Sequence, residues 1–206
     1  MPEITDIQTY KGSTMRVDIR GREPLFVNRE VVYEKNLQKG MDIPESAVDE
    51  ILHDNELRKA KERALYLMDY SDNTYMGLFN KLKKNYPDDI CFEVCDKLAA
   101  IGVVNDRRFA ANLARKLCEV KLFGYYRAVQ EMKQKGLTKA VIEEALEPYA
   151  DDEYERLLEL VKKKYLNKLD PEDRNKKVTA ALVRYGYGFD DVKKALKELE
   201  NEYFDE

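Results

Sequence analysis

At 206 residues, with 37% charged side chains and a net charge of −4, the chain can bury a sizeable core, but its surface is too acidic for indiscriminate nucleic-acid binding. No apolar run approaches the roughly eighteen residues of a membrane span, and MPEITDIQTYKG lacks the basic and apolar blocks of a secretory leader. Three cysteines, an odd number without disulfide-framework spacing, point to a reducing cytoplasm.

Residues 4–10 and 15–20 alternate as half-buried strands do, with Met15, Val17 and Ile19 on one face and Arg16, Asp18 and Arg20 on the other. Lys11 to Ser13 supply the turn, and Leu25 to Val27 a third short strand. Asn28 is placed to cap a helix carrying Val31, Val32 and Leu37 and ended by Gly40. A small antiparallel sheet with a helix against it is expected over residues 1–40, because a lone hairpin is marginal in water.

Pro44 after Asp42 opens a helix to about Leu52. A second helix is expected from about Asp54 to Asp69, with Leu57, Ala60, Ala64, Leu65 and Met68 inward. Thr74 to Lys84 and Asp88 to about Ala100 then complete a first three-helix unit, so that residues 41–105 hold a connecting helix and repeat one.

Residues 106–149 read as three short helices. Asp106 is the expected N-cap of the first, in which Phe109, Ala110, Leu113, Ala114 and Leu117 form one apolar stripe. Gly124 breaks the pattern, and Tyr125, Val129 and Met132 mark the second helix. Gly136 stands where a left-handed turn would end it. Thr138 caps a third helix that buries Val141, Ile142, Ala145 and Leu146. None is long enough to be stable alone, so each must pack on its neighbours.

The pattern recurs. Met132, Gly136, Ile142, Ala145 and Leu146 become, fifty residues on, Leu182, Gly186, Val192, Ala195 and Leu196. Fifty residues back, Met132, Lys133 and Ile142 become Leu82, Lys83 and Phe92. Residues 150–206 are therefore a third repeat. Its helices begin near Asp151, at Asp170–Pro171–Glu172–Asp173 and at Phe189, with the last running to about Leu199 and a tail from Asn201. The expected fold is mainly α: three tandem three-helix repeats forming an elongated curved rod, preceded by a small β-containing segment.

Several residues in this order resemble a known family. Asp106–Arg107–Arg108–Phe109–Ala110, then Gly124 with Arg127, then Lys135–Gly136–Leu137, look like the central repeat of RecX, the regulator of the RecA recombinase. Ala64–Leu65 with Thr74, Leu78 and Lys81–Leu82 resemble its first repeat, and the resemblance covers roughly residues 62–200. The chain has Tyr70, Ser71 and Gly77 where that first repeat usually carries a basic pair and then a glutamate. The resemblance implies a regulator, a monomer without a cofactor, that binds RecA filaments on single-stranded DNA. Its implied effect is to inhibit strand exchange and ATP hydrolysis in recombination, DNA repair and the SOS response.

Enzyme chemistry finds little support. The one histidine, His53, sits at an expected helix junction, and Cys91 and Cys95, four apart on a helix, lack the further ligands of a metal site and read as buried thiols. No P-loop, nucleophile elbow or dinucleotide fingerprint is present. Charge is more informative. Only residues 106–149 are net basic, with nine cationic against six anionic side chains. Arg107, Arg108, Arg115, Lys116, Lys121, Arg127, Lys133 and Lys135 are the candidate contacts to a RecA filament or to single-stranded or duplex DNA. A second cluster holds Lys162, Lys163, Lys164, Lys168, Arg174, Lys176 and Lys177. Asp106, Phe109, Gly124, Gly136 and Gly186 are assigned structural roles. The competing reading is a helix-turn-helix-like regulator acting directly on DNA, in which the second helix of repeat two would present Arg127, Gln130 and Gln134 to base edges.

Overall fold

The structure is a computed structural model that describes residues 2–166 and 174–204. Strands β1 (Ile4–Lys11), β2 (Thr14–Ile19) and β3 (Leu25–Asn28) precede helices α1 (Arg29–Glu34), α2 (Glu45–Tyr70), α3 (Tyr75–Leu82) and α4 (Asp88–Ala100). Then follow α5 (Asp106–Arg115), α6 (Tyr125–Gln134), α7 (Lys139–Leu146), α8 (Glu153–Lys164), α9 (Arg174–Arg184) and α10 (Phe189–Phe204). The chain divides into two compact units, one of residues 1–71 and 78–103, the other of residues 72–77 and 104–206.

In the first unit β1, β2 and β3 form an antiparallel sheet in sequence order. Its buried face, Ile4, Val17, Ile19 and Val27, packs with Val31 and Val32 of α1 and Val48 and Ile51 of α2. The side chain of Asn28 accepts the Glu30 N–H at 3.0 Å, which satisfies one of the free donors of α1. Asn55, 3% exposed on α2, closes the end of β3. Its Oδ1 accepts from Asn28 N at 2.8 Å and its Nδ2 donates to the Phe26 carbonyl at 3.1 Å. The sheet is thereby fastened to the middle of a helix.

Three expectations are corrected here. The helix from Asn28 ends at Glu34 rather than Gly40, because Asn36 takes a positive φ of 49° and turns the chain. Pro44 is the residue before α2 rather than its first helical residue. The expected break near His53 is absent. Between Glu45 and Tyr70 there is no glycine or proline, and extending an existing helix through ordinary helix formers costs far less than starting a new one. Beyond Asn55, Ala60 and Ala64 bury a small-residue stripe where α2 meets α4, whereas Leu65 is left 38% exposed. From α4, Ile90, Cys91, Val94, Cys95 and Leu98 point inward, and the Phe79 and Phe92 rings lie 4.4 Å apart.

The second unit holds two three-helix sets, α5–α7 and α8–α10, each with its own core. One is built on Ala110, Ala114, Leu117, Ala128, Met132, Ile142 and Leu146. The other is built on Leu157, Leu160, Val161, Leu182, Val192, Ala195 and Leu199, with Leu122 reaching into it. Phe109 is half-buried against the first core. Ala128 and Met132 form the buried stripe of α6, and Tyr125, on the same stripe but at the first position of the helix, is 41% exposed. Asp106 is not the N-cap of α5. Asn105 is, its side chain accepting from Arg108 N at 2.9 Å. After α5 the chain widens into a π-helical turn, Lys116–Val120, and Leu122 takes a positive φ of 52°. α10 runs beyond Leu199 to Phe204, tied to α8 by Lys162, which pairs with Glu202 at 3.2 Å and lies over the Tyr203 ring. The expected helix start at Asp170–Asp173 lies outside the described residues.

Candidate partner-binding face

The second unit contains two joints of one design, fifty residues apart. In one, the start of α6 meets the end of α9. Gly124 N–H donates to the Tyr185 carbonyl at 2.9 Å and Tyr126 N–H to the Gly186 carbonyl at 3.2 Å. The intervening Tyr125 N–H is taken by the Glu153 carboxylate, at 2.8 Å, from the first turn of α8. Three of the free donors that open α6 are thus satisfied from the next repeat. In the other joint Thr74, before α3, donates its hydroxyl to the Lys135 carbonyl at the end of α6, at 2.5 Å. Tyr75 N–H donates to Asp106 at 2.7 Å, in the first turn of α5. Asp106 and Glu153 therefore do the same work, and an anion at a helix N-terminus also suits the helix dipole.

Glycine makes both joints possible. Gly186 has φ +97°, and a Cβ there would stand 2.3 Å from Arg127 N. Gly124 has an ordinary φ of −75°, but a Cβ would stand 2.5 Å from the Gly186 carbonyl oxygen. Gly136 has φ +81°, with Met76 Cβ 2.7 Å from a Cβ position. Gly186 and Gly136 need the left-handed region as well as the space; Gly124 needs only the space.

The joint decides where the cations go. Arg127 pairs with Glu131 at 2.6 Å and leans over the Phe123 ring. With Phe123, Tyr165, Ala181, Arg184 and Tyr185 it lines an open recess of about 400 Å³. Lys121 also stacks on Phe123, and Lys164 donates to the Tyr185 hydroxyl at 3.0 Å while lying over its ring. Cations and aromatic rings alternate along this side. Arg184, Phe123 and Tyr165 escaped the reading of the sequence, since only the joint brings the end of α9 against α6. Their one sequence signal is that Arg184 immediately precedes Tyr185–Gly186, the copy of Lys135–Gly136.

The other candidates divide by helix geometry. Arg108 and Arg115 lie seven residues apart on α5 and share a face, with Lys116 beside it. Lys133 lies on the stripe of α6 that carries exposed Tyr126, about a third of a turn from Arg127. Arg115, Lys116, Lys133 and Lys135 are exposed, and among the described residues none has an ion-pair partner. Arg107 is exposed but pairs with Glu144 at 3.3 Å. In the second cluster Lys163 pairs with Glu159 and Lys162 with Glu202, whereas Lys176 and Lys177 are exposed and have no ion-pair partner among the described residues. Lys168 and the side chain of Arg174 lie outside the described residues.

The three thiols are buried. Burial pushes up the thiols of Cys91, Cys95 and Cys118, that of Cys95 to about 12. The Tyr187 phenol is also raised by burial, and donates to the Leu122 carbonyl at 2.9 Å. Arg156, 9% exposed, lies over the Tyr149 ring. His53 stands on the surface 3.3 Å from Glu93, in mid-helix rather than at a junction. Among the described residues no group of three or more ligand-type side chains could hold a metal. No helix among them is long and apolar enough to cross a membrane.

Sequence profiles of the RecX family match the two jointed units in turn. Residues 105–146 match the second RecX three-helix domain, and residues 151–196 the third. The regulatory protein RecX of Clostridioides difficile (strain 630) is 32% identical over 98% of this chain and 97% of its own length. The chain belongs to the RecX family. The regulatory protein RecX of Bacillus thuringiensis (strain Al Hakam) is also 32% identical, over the whole of this chain and 80% of its own length. A crystal structure of regulatory protein RecX superposes with a TM-score of 0.74, at 23% identity, over 96% of this chain and all of that one. That of RecX from Lactobacillus salivarius gives 0.62, at 21% identity, over 70% of this chain and 97% of that one. These RecX relatives are regulatory proteins, and this chain shares their mainly helical, repeated architecture with a small N-terminal sheet.

Proposed function

We propose that this chain regulates recombination and repair in the cytoplasm by binding RecA filaments on single-stranded DNA, inhibiting strand exchange and ATP hydrolysis. Full-length similarity to RecX regulatory proteins supports the regulatory role. The observation that carries the contact is the set of exposed cations of the central repeat, Arg115, Lys116, Lys133 and Lys135, which have no ion-pair partner among the described residues, on a repeat jointed to the next through α6 and α9. Several weak charge contacts held at fixed spacing gain by effective concentration, so a rigid row of helices suits a repeating polymer better than one isolated site. The net charge of −4 keeps affinity for bare nucleic acid low while the local face remains basic.

Direct base reading by α6 fits less well. Arg127, the arginine of that stripe, is held by Glu131 and turned toward Phe123, which leaves Gln130 and Gln134 without it. The discriminating measurement is binding to RecA filaments on single-stranded DNA and to the same DNA alone, across a salt series. The filament should bind at least tenfold more tightly throughout. Equal affinity for the bare DNA, or for duplex DNA of the same sequence measured alongside it, would transfer the function to the DNA-binding reading.

A further inference from the structure

The outer side of the third repeat carries a feature that the cationic face does not use. Between α9 and α10 runs an open groove of about 900 Å³. Its floor is Ala180, Val183, Phe189 and Leu196, of which Val183 and Phe189 are 41% and 53% exposed. Lys176 and Arg184 rim it from α9, and Lys193 and Lys197 from α10. All four are exposed, and among the described residues none has an ion-pair partner. The one carboxylate in the lining is Glu200, at an end.

The dimensions select a class of occupant. The lining runs from Lys176 to Arg184 on α9 and from Phe189 to Glu200 on α10. At the rise of a helix these stretches are about 12 and 16 Å long. That is the length of two to three helical turns, longer than a single buried side chain needs. An apolar strip of this length with cations on both banks matches a helix with one apolar face flanked by acidic residues. Nucleic acid suits it less. Stacking needs several open aromatic planes, whereas this floor is mostly aliphatic and Phe189 is its one ring.

We propose that the α9–α10 groove is a docking site for an acidic amphipathic helix of a protein partner. The apolar face of that helix fills the floor over Val183 and Phe189. Its carboxylates pair with Arg184, Lys193 and Lys197, which have no ion-pair partner among the described residues. The site does not depend on the filament reading, because none of Arg115, Lys116, Lys133 and Lys135 lines it, although Arg184 also borders the recess beside Arg127.

The test uses the full-length protein and a fluorescein-labelled sixteen-residue peptide, with leucine at i, i+3, i+4 and i+7 spacing and glutamate elsewhere. Three competitors accompany it: a scrambled peptide of the same composition, a version with lysine for glutamate, and an oligothymidylate. The acidic amphipathic peptide should bind saturably, at least tenfold more tightly than the other three. Val183→Asp and, separately, Lys193→Glu with Lys197→Glu should each weaken it at least tenfold. The double reversal should at the same time raise affinity for the lysine peptide. All three positions are exposed, so circular dichroism should be unchanged. Equal binding of the scrambled peptide, binding unaffected by both variants, or preferential binding of the oligothymidylate in this groove would each overturn the proposal. None of these results touches the filament measurement above.

Discussion

The two joints of the second unit do the same work with different atoms. At the α6–α9 joint, backbone meets backbone: Gly124 and Tyr126 donate to the carbonyls of Tyr185 and Gly186, and a side chain at either glycine would strike main chain. At the α3–α6 joint the residue fifty before Gly124 is Thr74, whose hydroxyl both donates to Lys135 O and accepts from Gly77 N. Gly136, the counterpart of Gly186, faces Met76, whose Cβ would stand 2.7 Å and Cα 3.8 Å from a Cβ there. The repeat therefore conserves a geometry, a helix start capped by the end of another helix, and not a set of residues. A backbone hydrogen bond can shift only with its main chain, whereas the Thr74 hydroxyl can turn.

Substitutions can break that contrast. Gly186→Ala should be the most damaging, because it adds overpacking against Arg127 N to an unfavourable φ, roughly 3 kcal/mol in all. Denaturant unfolding would measure it, and a loss below ~1 kcal/mol would show that the joint yields. Gly136→Ala should cost somewhat less, about 2 kcal/mol, since its nearest obstacle is the Cβ of Met76 at 2.7 Å rather than main chain at 2.3 Å. Thr74→Val keeps the shape but strands the Lys135 carbonyl, at about 1–2 kcal/mol. Gly102 in the first unit is the control: it has φ +74° but nothing within 4 Å of a Cβ, so Gly102→Ala should cost only the backbone term, ~1 kcal/mol.

The buried thiols report where such damage lands. In the native protein none of Cys91, Cys95 and Cys118 should react with a maleimide on the timescale of a free thiol. Gly186→Ala should expose Cys118 first, because it packs in the core beside that joint, while Cys91 and Cys95 lie in the other unit. Simultaneous labelling of all three would contradict independent opening. A smaller effect concerns pH. Thiols ionise near pH 8.5 once unfolded, but burial keeps them protonated in the fold, Cys95 up to about 12. The stability they contribute is complete below the unfolded value and is lost as pH rises through the raised one. Thermal melts at pH 7 and pH 10 should show the decline, and a flat profile would place these thiols in contact with water.

Period and punctuation made much of this fold legible. The alternation at Met15, Val17 and Ile19 marked a strand, Asn28 marked a cap, and fifty-residue offsets marked the repeats. Helix ends without glycine or proline were harder. Nothing in composition separates His53 as a junction from His53 in mid-helix, because continuity there is decided by the absence of a breaker. The joints were illegible for a different reason. Their partners are main-chain groups about sixty residues apart, and a carbonyl carries no residue signature. For that reason Asp106, at the start of α5, has the sequence signature of a cap for its own helix although it caps α3. Arg184 went unnoticed because its neighbour Arg127 is distant in sequence.

The central claim is that the exposed cations of α5 and α6 carry the contact with a recombinase filament. Its most direct test is a combined reversal, Arg115→Glu, Lys116→Glu and Lys133→Glu, at positions that are exposed and unpaired. Each such contact is individually modest, often below ~1 kcal/mol, so three are reversed together. After circular dichroism has shown equal helicity, RecA-driven strand exchange and ATP hydrolysis are followed with increasing native or reversed protein. At least a tenfold higher concentration of the reversed protein should be needed for half-inhibition, with a weaker dependence on salt. Inhibition at the native concentration would contradict the account and leave this face a solvated surface.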